Sequence, residues 1–268
     1  RPEAFSYFFA AIFFFFLGQW SNHPSKWRHL FVILPLLELF WANMHIYFFL
    51  VPIIVGVFAI NAACTYGMFS RPAKHFYALL SMVNAAVFFN PTHLYGVIAP
   101  FTIFQNYGYN IAENKPVWFL ETLISNPNFI IFKIVFGAAI ASMFLRVARQ
   151  KKFINDAQSN DPLSDNTRAF LVAEILLLCG FGAMAWLQVR NFALFGFFAL
   201  PLVSAHLAHA IGSALVRSQR ALALTACFAA MMAFFLLLSG SIQRAFPYWH
   251  EFGWGLQTNN LAPAEFLR

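Results

Sequence analysis

Charge is what this sequence has least of. Asp, Glu, Lys and Arg make up 10% of its 268 residues, where a soluble globular domain carries about a quarter. With 60% hydrophobic residues and a mean hydropathy of +0.65, that deficit excludes an ordinary soluble domain and makes lipid the solvent. Cysteine is also scarce. Cys64, Cys179 and Cys227 lie inside apolar runs without metal-ligand spacing, which reads as small buried hydrophobes. There is no phosphate-cradling glycine loop, no metalloprotease histidine pair and no serine elbow. No basic segment precedes the first apolar run, Phe5 to Leu17, and no small-residue cleavage site follows it, so it is not a signal peptide. The net charge of +7 is not gathered into one basic groove, which excludes nucleic acid as a partner.

What is present is a succession of apolar runs, several close to the roughly twenty residues a spanning helix needs. Run length predicts an all-α, polytopic transmembrane bundle of about eight spans, near 4–20, 29–43, 46–66, 75–90, 128–147, 168–188, 192–215 and 220–242. The loops alternate in charge. One set holds Lys26 and Arg28, Arg71 and Lys74, the run Arg146 to Arg168, and Arg217 and Arg220; the other holds little beyond Arg1, Lys115, Arg190, Arg244 and Arg268. The positive-inside rule makes the first set cytoplasmic and puts both chain ends outside. Residues 1–242 then form the membrane domain, and 243–268 an outer tail leading toward a possible further C-terminal region. The segment 147–167 reads as a solvated cytoplasmic loop. The outer segment Tyr95 to Tyr109, aromatic but broken by Gly96, Pro100 and Gly108, reads as interfacial or re-entrant.

This topology gathers the polar motifs on the outer side. Trp41-Ala42-Asn43-Met44-His45 puts an amide and an imidazole between two long apolar runs, where both are costly without water, a partner or a ligand. Asn90 and His93 close another helix, Glu113 and Lys115 supply a carboxylate and an ammonium, and Arg190-Asn191 opens the seventh span. Arg and Lys suit phosphate oxygens, and His and Glu suit proton transfer. Each residue alone has an ordinary structural reading: Asn and His cap helix ends, and Arg and Lys snorkel to headgroups. Together they form a candidate site for a lipid phosphate and a sugar.

Inside the spans, Glu38, Lys133 and Glu174 are ionisable and call for buried partners or a function. His206 and His209 share a helix face, a spacing open to a haem, chlorophyll or metal ligand but more often used for polar helix–helix contacts.

Taken in order, these motifs resemble the bacterial GT-C-type polytopic membrane glycosyltransferases. Arg1-Pro2 before an aromatic helix, Trp41 to His45, Asn90-Pro91 with Tyr95-Gly96 and Glu113 downstream, and Arg190 to Phe195 with Pro201 all resemble segments of that family. The family's His-Gly-Gly is here His45-Ile46-Tyr47, and its compact Asn-Pro-Tyr-Gly is split by Thr92 to Leu94. The resemblance implies a GT-C-like fold in a bacterial inner membrane and glycosyl transfer from a polyprenyl-phosphate-linked sugar on the outer face. It implies substrate-binding roles for Asn43, His45, Asn90, His93, Glu113, Lys115, Arg190 and Asn191. The family's catalytic acid lies in an outer loop before the matched region, so no base is assigned here. No cofactor is evident; a divalent metal is implied by the family alone. A non-catalytic subunit of a larger membrane complex, binding lipid or other membrane subunits, is the second reading. A transporter is third, since the repeated halves it calls for are not seen.

Overall fold

The computed structural model describes residues 3–22, 28–102, 112–155, 171–211 and 231. These residues are helical with no strand among them. The expected span 220–242, apart from Met231, lies outside the described residues. So do the tail 243–268, Arg1-Pro2, residues 156–167 of the cytoplasmic loop and 103–109 of the aromatic outer segment. The chain divides into two units, Arg1–Ile124 with Ile131–Ala210, and Ser125–Ile130 with Ile211–Arg268. In the second, the Asn126 side chain accepts from the Asn128 N–H at 2.9 Å, capping the start of a helix.

The helices, in chain order, are α1 (Glu3–Asn22), α2 (Leu30–Ala42), α3 (Leu50–Tyr66), α4 (Arg71–Val87), α5 (Leu94–Thr102), α6 (Val117–Glu121), α7 (Pro127–Asn155), α8 (Leu171–Leu187) and α9 (Phe192–Ile211). Single 3-10 turns at Ile46–Phe49 and Val189–Asn191 lead into α3 and α9. Among the described residues, three segments are long and apolar enough to cross a membrane: Ile46–Tyr66, Pro127–Ala148 and Val189–Leu207. Phe5–Gln19, Leu30–Ala42 and Leu171–Leu187 are apolar but shorter.

Two boundaries differ from those read from hydropathy. α4 starts at Arg71 and not near 75, because the Ser70 hydroxyl accepts from the Ala73 N–H and Pro72 fits the first turn. α7 continues to Asn155, so residues 148–155, expected in a loop, are helical. Arg, Gln and Lys are strong helix formers, and a helix need not stop where its apolar run does.

α3 packs against α1, α4 and α8, and α2 packs against α1 and α4. Buried positions recur at helical spacing: Ser6, Phe9, Ala10, Phe13 and Leu17 on α1, and Leu30, Leu34, Glu38 and Trp41 on α2. Phe14 of α1 meets Phe58 of α3 and Phe198 of α9, and Phe181 of α8 stacks on Phe198 with ring centres 4.2 Å apart. Gly182 matters for close approach. A Cβ there would come 2.8 Å from the Phe136 ring of α7, so glycine lets α7 and α8 share that aromatic layer.

The outward faces are as apolar as the core. Phe8, Phe15 and Phe144 are 60%, 59% and 72% exposed. Such surfaces are stable against lipid and not against water. Cys64 and Cys179, expected to be buried, also lie exposed, while Cys227 is outside the described residues. A thiol on a lipid-facing helix surface is solvated as well as one in a core.

Candidate functional site

Several helix ends meet at one end of the unit. α2 stops at Ala42, and His45 follows in extended conformation (φ −157°, ψ 145°), capping the turn into α3. Its Nδ1 accepts from the Tyr47 N–H at 3.4 Å. Ser6, near the start of α1, stands between two of the motif's side chains: Trp41 Nε1–H donates to Ser6 Oγ at 3.0 Å, and Ser6 Oγ lies 2.8 Å from His45 Nδ1. With its oxygen accepting from the indole, the hydroxyl donates to His45. Both neighbours therefore make Nδ1 an acceptor, and the proton of the neutral ring sits on Nε2. Trp41 and Ser6 are fully buried and His45 half-buried, so this chain runs from the core to the rim.

Tyr47 carries the motif across the bundle. Its buried hydroxyl donates to Asn191 Oδ1 at 3.4 Å, and Asn191 Nδ2 donates to the Met184 carbonyl at 3.1 Å. The Arg190 guanidinium lies over the Tyr47 ring, 5.3 Å from its centre, and its Nη1 donates to Asn114 Oδ1 at 2.9 Å. A backbone bond from Val189 N–H to the Lys115 carbonyl, 3.3 Å, ties the Ala112–Asn114 turn to the one before α9. Lys115 Nζ lies 5.9 Å from the Phe119 ring centre, and Glu113 is exposed one residue before Asn114. His45, Lys115, Arg190 and Asn191 are thus brought together with Ser6, Trp41, Tyr47 and Asn114, with Glu113 at the edge.

The other three expected site residues serve their own helix ends. Asn43 Nδ2 donates to the Leu39 carbonyl at 2.8 Å and to the Phe89 carbonyl at 3.1 Å, joining the ends of α2 and α4. Asn90 spends its whole amide on a turn. Nδ2 donates to the carbonyls of Val87 and His93, and Oδ1 accepts from the N–H and hydroxyl of Thr92, each at 2.9 Å. His93 is exposed at φ +48°, a left-handed position, with Nδ1 3.4 Å from the Phe88 carbonyl oxygen.

Of the ionisable residues within the helices, Lys133 forms a salt bridge with Glu121. Glu38 is fully buried, and among the described residues neither carboxyl oxygen has a hydrogen-bond partner. Sequence reasoning missed Ser6, Tyr47 and Asn114. Ser6 did leave a signal, a lone hydroxyl on the buried face of a phenylalanine-rich helix.

Chemically, the cluster offers the Arg190 guanidinium and the His45 imidazole beside buried Tyr47 and Asn191, with the Lys115 backbone tied to the turn before α9. That set recognises oxyanions. Among the described residues, no group of three His, Cys, Asp or Glu that could hold a metal ion occurs. No protein family, curated protein or solved structure shows detectable similarity to the chain.

Proposed function

We propose that this chain is a GT-C-like integral membrane protein of about eight spans that moves a sugar from a polyprenyl-phosphate-linked donor to an acceptor on the outer face. The observation that carries this reading is Arg190 stacked over Tyr47, within one cluster with His45 and Asn191. A guanidinium held by an aromatic face and an amide is pre-positioned for a phosphate, with less entropy lost on binding. Arg190 and Lys115 hold the lipid phosphate, and the His45 imidazole supports a third oxygen. Asn191 orients the cluster, Glu113 faces the acceptor side, and Asn43, Asn90 and His93 shape the rim. The bias of Lys and Arg among the loops supports an orientation with this end on the outer side of a bacterial inner membrane.

The second reading is a non-catalytic subunit that binds lipid-linked sugar or partner membrane subunits. It is favoured by one feature: Glu113, the carboxylate on the turn that carries Asn114, is exposed. The test is transfer from a polyprenyl-phosphate-linked sugar by the full chain in nanodiscs, with binding of the same lipid measured in parallel. Transfer weakened by Arg190→Ala supports the enzyme. Binding without transfer supports the subunit. Equal transfer and binding with and without Arg190 would remove the site altogether.

A further inference from the structure

A second polar cluster lies away from this site. Arg146 of α7 has its Nε 3.3 Å from Glu174 Oε2 of α8, and His206 Nε2 of α9 lies 3.3 Å from the same oxygen. The three side chains are 6%, 10% and 1% exposed. Ser142, one turn before Arg146, completes the group, with its Oγ 3.1 Å from His206 Nδ1 and 2.8 Å from the Ala139 carbonyl oxygen. Counted along α8 and α9, Glu174 and His206 each lie roughly 20 Å from the end that carries Arg190. The cluster is therefore set deep in the bundle toward its opposite end.

The hydrogen-bond directions decide its chemistry. The Ser142 hydroxyl donates to Ala139, so at its contact with His206 it accepts, and Nδ1 carries a hydrogen. A neutral ring of that tautomer turns its Nε2 lone pair toward the Glu174 carboxylate, which is repulsive. A proton between Nε2 and Oε2 reverses the sign of that contact. Without it Arg146 and Glu174 neutralise each other; with it the cluster gains one positive charge.

Among the described side chains the surroundings add no other acid or base next to the cluster. α3, packed on α8, contributes Asn61, whose Oδ1 accepts from the Ala173 N–H at 3.1 Å. From Leu50 to Tyr66 α3 holds no acidic or basic residue, and α1, which meets α9, holds none between Phe5 and Gln19. On α7, α8 and α9 the only other acid or base with a described side chain is Lys133, thirteen residues before Arg146.

We propose that Glu174 and His206 form a binding site for one proton, held by Arg146 and Ser142, whose occupancy sets how tightly α9 packs on α7 and α8. Arg146 keeps the carboxylate in place; Ser142 selects the histidine tautomer. This site is independent of the sugar-transfer reading.

The test is nitrogen NMR of the full chain in nanodiscs, labelled with ¹⁵N-histidine, from pH 5 to 8.5. His206→Gln identifies the resonance. The expected wild type holds hydrogens on both nitrogens of His206 at the acid end and loses one in a single step, with thermal stability falling over the same interval. Glu174→Gln should shift that step, and Ser142→Ala, the mildest variant, should change the tautomer left above it. If Nε2 of His206 is unprotonated throughout in the wild type, the proposal fails whether or not any variant folds. It fails equally if the step is indifferent to both Glu174→Gln and Ser142→Ala.

Discussion

The guanidinium of Arg190 lies 5.3 Å from the ring centre of Tyr47, although 143 positions separate them in sequence. The same tyrosine donates to Asn191, the residue next to that arginine. One side chain thus fixes both members of the Arg190-Asn191 pair. The family resemblance expects glycine at position 47, where the backbone can come close to a ligand. Here the position holds a support for the cation instead.

Replacing Arg190 separates charge from geometry. Arg190→Ala should lower transfer from a polyprenyl-phosphate-linked sugar about 10- to 100-fold, the scale of one charge-assisted hydrogen bond. Arg190→Lys keeps the charge but loses the planar fork to Asn114 and much of the ring contact, so it should recover only part of the loss. Full activity in Arg190→Lys would show that charge alone matters.

Tyr47 divides in the same way. Tyr47→Phe removes the donor to Asn191 and leaves the ring beneath Arg190, so thermal stability should fall by about 1 kcal/mol with lipid binding largely kept. Tyr47→Ala removes both and should cost about 3–5 kcal/mol along with the binding. Thermal unfolding in one detergent, read beside lipid titration, gives both quantities.

Ser6→Ala tests the link between Trp41 and His45. It strands a buried indole N–H and removes one donor to Nδ1 of the imidazole, at a cost of about 1–3 kcal/mol. Adding Trp41→Phe removes the stranded donor, so the double variant should lose less than the sum of the singles. Strict additivity would mean the three side chains do not act as one network.

Asn90 and Gly96 are coupled through a turn. A Cβ on Gly96 would collide with the Asn90 amide oxygen and come 2.7 Å from the Thr92 hydroxyl. Gly96→Ala should therefore destabilise by about 1–3 kcal/mol. Asn90→Ala, which leaves the donors of Thr92 and the carbonyls of Val87 and His93 without their partner, should cost at least as much. If Asn90→Ala instead changes lipid affinity with stability intact, its amide serves the ligand and not the turn.

Apolar runs disclosed most of the helices, because a spanning helix needs length and composition and little else. They did not disclose where helices begin, since Ser70 starts α4 through a hydroxyl that hydropathy does not weigh. Nor did they disclose the 3-10 turn at Ile46–Phe49, whose residues are as apolar as the helix it opens. At the end that carries Arg190 the sequence grouped the polar residues but gave no sign of which would touch. Asn90 and Asn43 look alike in sequence, yet one amide is spent inside its own turn and the other bridges α2 to α4. Glu174 and His206 were each conspicuous, but Arg146 read as one more positive loop charge. Only the helices' relative rotation puts it on Glu174.

Orientation in the membrane can be checked directly. With Cys64, Cys179 and Cys227 first replaced by Ser, single cysteines go in at exposed positions at the two ends. Phe69→Cys lies in the turn between α3 and α4, which the loop charges assign to the cytoplasm, and Leu123→Cys lies just after α6 on the expected outer side. A membrane-impermeant maleimide added to sealed, right-side-out spheroplasts should label Leu123→Cys and spare Phe69→Cys until the membrane is opened. With α3 and α4 each crossing the membrane as proposed, the two signals should differ. Labelling of both without opening would break the assignment of Arg71 and Lys74 to the cytoplasm. Labelling of Phe69→Cys alone would invert the protein, put Arg190 and Tyr47 inside, and require the sugar acceptor to be cytoplasmic.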